Sequence, residues 1–257
     1  AFMSDIHHRV LGAGQPVVLL HGFCETNQIW GVFANLLSQH CQLLIPDLPG
    51  FGQSKLPPTP FSIDQVGERM WHWLDSLNIK KPVIVGHSLG GYVTLAMTHQ
   101  RPNDVSGFSL FHSTAKPDTE EKKLNRDKVI AFVNKNGVAP FIETYVPGLF
   151  YRKDSPSIKD VYPVAYSTTA ETLVAYASAM RDRPNRRQVL EDFERPVLII
   201  AGEKDEIIPL DTLMDQAIQL RKGRLSILSD TGHMGMLEST SRSVEIVTQF
   251  VGTCAGV

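Results

Sequence analysis

A doubly wound, mostly parallel α/β sheet is the fold class that this 257-residue sequence predicts. Three observations predict it. Short runs of β-branched and aliphatic residues alternate with segments of helical periodicity along most of the chain. The runs at 16–20 and 196–200 are continuously apolar, as strands covered on both faces are. One such run, Val83-Ile84-Val85, passes through Gly86-His87-Ser88-Leu89-Gly90 straight into a helix-like segment at 92–100.

Residues 6–11 read as a weakly signalled first strand, and 16–20 as the first buried one, ending in His21-Gly22-Phe23. Ile29, Trp30, Phe33, Leu36 and Leu37 fall at helical spacing, so 27–39 is expected to be an amphipathic helix. A strand at 42–45 runs into the turn-rich loop Asp47-Leu48-Pro49-Gly50-Phe51-Gly52-Gln53-Ser54. Ser62 is a plausible N-cap for a helix reaching Leu77. The strand–serine–helix unit follows, then a strand at 105–111. From 113 to 193 the rhythm changes. Helices are expected at 118–134, 158–166 and 171–180, with a further apolar segment at 139–150 and no convincing strand, so this stretch reads as a helical insertion. Its basic cluster, Arg181 to Arg187, reads as a solvated turn in preference to an anion site. The sheet resumes at 196–202 with the loop Glu203-Lys204-Asp205-Glu206. A helix at 211–220, a strand at 224–228, the loop 229–235 carrying His233, and a final helix at 239–250 complete the chain.

Composition narrows the function classes. Twenty-five basic against 27 acidic residues give no electrostatic case for nucleic acid or an anionic membrane surface. No apolar run approaches the roughly 20 residues of a membrane span, and no leader pattern is seen; Ala1-Phe2 reads as a remnant before a native Met3. Three scattered cysteines, Cys24, Cys41 and Cys254, argue against a disulfide framework and for a reducing cytoplasm. Cys24 reads as a small buried thiol rather than a nucleophile, and no Cys/His spacing suggests a metal site.

In a doubly wound sheet, ligands bind at the carboxyl ends of the strands. The loops at those ends carry the four parts of an acyl-transfer site. A serine hydroxyl is a weak nucleophile unless a base takes its proton. Ser88 is the candidate nucleophile and His233 the candidate base. Asp205 is the carboxylate that would fix the imidazole tautomer and stabilise its charged form. Backbone N–H groups of Phe23 and Leu89 are the candidate oxyanion donors. Gly86 and Gly90 give the tight turn its clearance. His112, which ends a strand on this side, Glu25, just beyond the Phe23 turn, and Met234, next to His233, are candidate substrate-binding residues. His21 and His87 read as structural hydrogen-bonding groups. Asp47 reads as part of a structural loop, and Asp230 as shaping its turn.

These pieces, His21-Gly22-Phe23, Asp47 to Ser54, Gly86-His87-Ser88-Leu89-Gly90-Gly91, Ala201-Gly202-Glu203-Lys204-Asp205 and Gly232-His233, resemble the α/β-hydrolase superfamily in its serine-nucleophile, carboxylesterase-like form. The resemblance covers nearly the whole chain. It implies a core at 1–112 and 194–257 and a helical cap, or lid, at 113–193. It implies a serine esterase with no cofactor and no metal, acting on a small molecule, as a monomer or homodimer. Serine at position 88 argues against epoxide opening and dehalogenation, for which similar enzymes carry aspartate. A carbon–carbon bond hydrolase, a cofactor-free lyase, a perhydrolase, or a ligand sensor with slow turnover remains open on the same residues.

Overall fold

The computed structural model describes residues 5–255, so the expectation about Ala1, Phe2 and Met3 lies outside the described residues. In chain order the elements are β1 (His8–Leu11), β2 (Pro16–Leu20), α1 (Gly31–Leu37), β3 (Gln42–Pro46), α2 (Ile63–Ser76), β4 (Val83–His87), α3 (Leu89–Gln100) and β5 (Gly107–Phe111). Then come α4 (Glu120–Asn136), α5 (Val138–Gly148), α6 (Ile158–Tyr166), α7 (Ala170–Arg181) and α8 (Arg187–Asp192). The chain closes with β6 (Val197–Gly202), α9 (Leu210–Ala217), β7 (Gly223–Leu228), α10 (Gly235–Glu238) and α11 (Thr240–Cys254).

Among the described residues the strands form one seven-stranded sheet in the order β1-β3-β2-β4-β5-β6-β7. Only β1, against β3, pairs antiparallel; every other neighbour is parallel. Every residue of β4, β5 and β6 is buried, so helices must cover both faces of the sheet. That explains why Val83, Ile84, Phe108, Leu110, Ile199 and Ile200 are apolar without alternation, each burial being worth about 1.5–3 kcal/mol. The parallel register sets Gly86 beside Leu20 and His87 beside Phe111, which brings the loops after β2, β4 and β5 to one edge.

Local chemistry explains most boundaries. Ser62 and Gln65 form a reciprocal capping box at the start of α2. The expected helix at 27–39 splits into a 3-10 turn, Asn27–Trp30, and α1, because Gly31 (φ 37°) breaks the spiral. Between β5 and β6 the described residues contain helices and no strand, as expected, but α8 was not anticipated. Nor is the basic cluster a solvated turn throughout. Arg183 is buried, donating from Nη1 to Asp118 Oδ1 at 2.6 Å, and Arg186 donates to Asp64 Oδ2 at 2.6 Å. Carboxylates distant in sequence drew these cations inward. Among the described residues, no helix is long and apolar enough to cross a membrane.

Candidate active site

At the end of β4 the chain turns on Ser88, whose φ of 51° and ψ of −113° are rarely adopted by a residue with a side chain. Such a conformation costs about 1–3 kcal/mol and persists only when its surroundings fix it. Here the Ser88 N–H donates to the Phe111 carbonyl at 3.0 Å. Its carbonyl accepts from the Gly91 N–H at 2.8 Å and from Ser113 Oγ at 2.7 Å. The turn is tight enough that a Cβ on Gly86 would run into the Gly90 carbonyl, and one on Gly90 into the carbonyls of Leu20 and His21. Ser88 is half-buried, and among the described residues its hydroxyl makes no hydrogen bond. It stands at the N-terminus of α3, where helix N–H groups favour negative charge.

Asp205 and His233, 28 residues apart, meet across the β6 and β7 loops. His233 Nδ1 donates to Asp205 Oδ2 at 2.8 Å, while Asp205 Oδ1 accepts the N–H groups of Ile207 (2.8 Å) and Ile208 (3.1 Å). Burial alone would raise the Asp205 pKa. The charge and hydrogen bond of His233, His112 nearby and the Ile208 N–H outweigh it, bringing Asp205 down to about 2. A carboxylate on Nδ1 leaves the lone pair of His233 on Nε2, and that atom is buried with no partner among the described residues. No hydrogen bond joins it to Ser88 Oγ, a looseness common when no substrate is bound. Among the described residues no hydrogen bond engages the N–H of Phe23 or Leu89 either.

The three candidate substrate-binding residues are fully enclosed side chains. His112, Glu25 and Met234 are all buried, close in sequence or space to the Ser88, Asp205 and His233 loops. His112 Nε2 accepts from the Gly235 N–H at 3.0 Å, and its Nδ1 lies 3.7 Å from Asp205 Oδ2. Burial holds its pKa well below the histidine range, so it is a neutral ring beside the carboxylate. Glu25 Oε2 accepts the Gly22 N–H at 2.7 Å and lies 3.2 Å from His87 Nδ1. The side chains of His112 and Glu25 thus bond main-chain or side-chain groups of the strand-end loops, whereas Met234 is bonded through its backbone N–H, to Glu238. His21 bridges the Gly22 carbonyl (2.8 Å) and the Leu48 N–H (2.9 Å). Asp47 collects the N–H groups of Asn27 (2.7 Å) and Gln53 (3.0 Å) together with His7 Nδ1 (3.0 Å), away from His233.

Two supports went unseen in the sequence. Glu238 Oε2 accepts the N–H groups of Gly232 and Met234, both at 3.1 Å, so it shapes the loop on either side of His233. An acid four residues past Met234, at the end of a short helix, was the available signal. The Leu149 carbonyl, from the helical insertion, accepts the His233 N–H at 2.9 Å. Nothing local in sequence encodes that contact.

Comparison with known proteins gives this geometry its kin. The model of the α/β-hydrolase fold family matches residues 15–240. An esterase from Thermogutta terrifontis superposes with a TM-score of 0.92 at 26% identity, covering 97% of this chain and 93% of that one. A 2-hydroxy-6-oxo-2,4-heptadienoate hydrolase from Pseudomonas putida is 24% identical over 258 residues, 94% of this chain and 90% of that protein. The dihydrolipoyllysine-residue acetyltransferase component of the acetoin cleaving system of P. putida is 29% identical over 237 residues. That match takes in 89% of this chain but only 61% of the longer relative. By a family match spanning most of its length, the chain belongs to the α/β-hydrolase fold family.

Proposed function

We propose that the protein is a serine hydrolase that cleaves a small or medium carboxylic ester through an acyl-enzyme. One observation carries this reading. A serine held at a strained strand–helix turn shares the strand-end edge with a histidine whose Nδ1 is fixed by a buried carboxylate and whose Nε2 is unpartnered. In this reading Ser88 Oγ attacks the acyl carbon as its proton passes to His233 Nε2. The N–H groups of Phe23 and Leu89 receive the oxyanion. His233 then returns the proton to the departing alkoxide. Water, deprotonated by His233, attacks the acyl-serine, and collapse releases the acid and restores the Ser88 hydroxyl. Helices α4–α8 would form the cap over this chemistry. Three unpaired, buried thiols fit a reducing compartment such as the cytoplasm.

The test is stopped-flow hydrolysis of short and medium p-nitrophenyl esters by wild type and Ser88→Ala. A stoichiometric burst followed by steady turnover, abolished in the variant, is the expected result. Absence of any burst or turnover would overturn the esterase reading. The resemblance to the P. putida dienoate hydrolase supports a second reading, carbon–carbon bond hydrolysis on the same residues. Turnover of a vinylogous 1,5-diketone in place of the esters would favour it.

A further inference from the structure

We propose that Glu25 and His87 are positioning residues, a buried carboxylate–imidazolium pair that clamps the main chain of His233 to the Gly22–Phe23 turn. The inference rests on the acyl-transfer reading above, since it assigns what holds the base and one oxyanion donor in register.

The argument begins with protons. His87 Nε2 lies 2.8 Å from the His233 carbonyl oxygen, which can only accept, so Nε2 carries a hydrogen. His87 Nδ1 lies 3.2 Å from Glu25 Oε2, an oxygen already accepting the Gly22 N–H at 2.7 Å. With Glu25 ionised, Oε2 accepts from both sides, Nδ1 carries a hydrogen as well, and the ring is a cation. Both residues are buried, 62 positions apart in sequence. Burial alone would lower the His87 pKa. The Glu25 charge and hydrogen bond, the His233 carbonyl and Asp205 together reverse this and raise it. For Glu25, burial pushes upward, and His87, His21 and the Gly22 N–H pull it below the usual carboxylate range.

Two buried neighbours, His112 and His21, do not supply a competing cation. The His112 ring centroid is 5.9 Å from that of His87, and burial keeps both His112 and His21 below the ordinary histidine pKa. The His233 ring is 5.0 Å away, and its Nδ1 is committed to Asp205. In this assignment His87 is the doubly protonated ring, donating to two acceptors. Gly22 completes the device. A Cβ there would lie 2.8 Å from His87 Nδ1 and 3.1 Å from each Glu25 oxygen, so the turn is bare because the pair fills that volume. If Glu25 loses its charge, His87 keeps one proton for two acceptors, and one end of the clamp opens.

The test compares wild type, Glu25→Gln and Glu25→Asp, using 15N-histidine NMR and the rate at which diisopropyl fluorophosphate modifies Ser88. In wild type His87 is expected to hold both protons to a higher pH than an ordinary histidine does. In Glu25→Gln, His87 should lose its second proton at a lower pH than in wild type. Ser88 phosphonylation and p-nitrophenyl acetate kcat should fall about 10–100-fold, the usual scale for losing an orienting partner, with KM little changed. Glu25→Asp should recover part of the rate, and it carries the comparison if Glu25→Gln fails to fold. A wild-type His87 that deprotonates no higher than an ordinary histidine, or a variant with wild-type phosphonylation, overturns the proposal. If wild type itself is not phosphonylated, the acyl-transfer reading falls, and NMR judges the clamp alone. A His233 Nδ1–H resonance that moves in Glu25→Gln then supports it, and one that does not move overturns it.

Discussion

Asp205 concentrates the electrostatics of the site in one side chain. Its two oxygens take three donors, His233 Nδ1 and the N–H groups of Ile207 and Ile208, in a place from which water is excluded. Asp205→Asn keeps the shape but turns an amide donor toward His233 or forces the other tautomer. Turnover of a p-nitrophenyl ester should fall about 10⁴-fold, the scale seen when a triad acid becomes an amide. The same residue makes a pH prediction. A carboxyl lowered from an ordinary 3.8 to about 2 stabilises the fold by about 2 kcal/mol above pH 4. Because the folded-state pKa is the lower one, that contribution is lost as pH falls from about 4 through about 2. Urea unfolding of wild type and Asp205→Asn should diverge at pH 7 and converge near pH 2. A gap that persists unchanged at acid pH would refute the assignment. The chain order of Ser88, Asp205 and His233 could be read in the sequence because each sits in a short loop directly after a strand. The Glu25–His87 pair could not, because no local pattern marks a contact between residues 62 apart.

Among the elements, the β4–α3 turn and the helical insertion are each held by one crowded place. Gly90 lies against the carbonyls of Leu20 and His21, backbone atoms that cannot rotate away. Gly90→Ala should therefore cost about 1–3 kcal/mol or more and lower Tm by several degrees. An unchanged Tm would mean that the β2 loop yields more readily than its buried strand suggests. In the insertion, Asp118 accepts from Arg126 Nε (3.0 Å) and Arg183 Nη1 (2.6 Å), joining α4 to the end of α7. Arg183 also donates to the Lys116 and Met180 carbonyls and lies 3.8 Å from the centroid of the Tyr92 ring. Asp118→Ala leaves the buried Arg183 without its counter-ion, a loss of about 3–5 kcal/mol in comparable sites. Hydrogen exchange in α4 and α7 should rise well before exchange in β4–β6. These two places also mark where sequence reading works. The apolar strands are legible because a strand covered on both faces must be apolar throughout. The inward turn of Arg183 is not legible, because it depends on a carboxylate 65 residues earlier.

On the scale of the molecule, His233 is the point at which core and insertion share a residue. Its carbonyl is held by His87 from the sheet side, and its N–H by the Leu149 carbonyl from the insertion. Glu238 extends the same junction, with Oε2 on the His233 loop and Oε1 on the Tyr151 N–H at 2.8 Å. On the opposite flank the insertion is fastened to the turn-rich loop after β3. There Tyr176 Oη donates to the Pro49 carbonyl at 2.6 Å, and Thr172 Oγ1 to the Gly50 carbonyl at 2.9 Å. Tyr176 is fully buried among Phe51 and Phe61, so no water can replace its hydroxyl. Tyr176→Phe should destabilise by about 1–3 kcal/mol by leaving a buried carbonyl unpaired. What distinguishes the possible architectures is where that loss is felt. If α4–α8 move as one body, releasing the Pro49 side frees the Leu149 side as well. The amides of Tyr151 and His233 should then exchange faster together with α7, while amides of β4 and β5 stay protected. Ester turnover should also fall more than the stability loss alone would cause, because His233, the proposed base, would be held from one side only. Faster exchange confined to α7, with His233 unaffected, would show that the helices open separately and that the insertion does not transmit to the site.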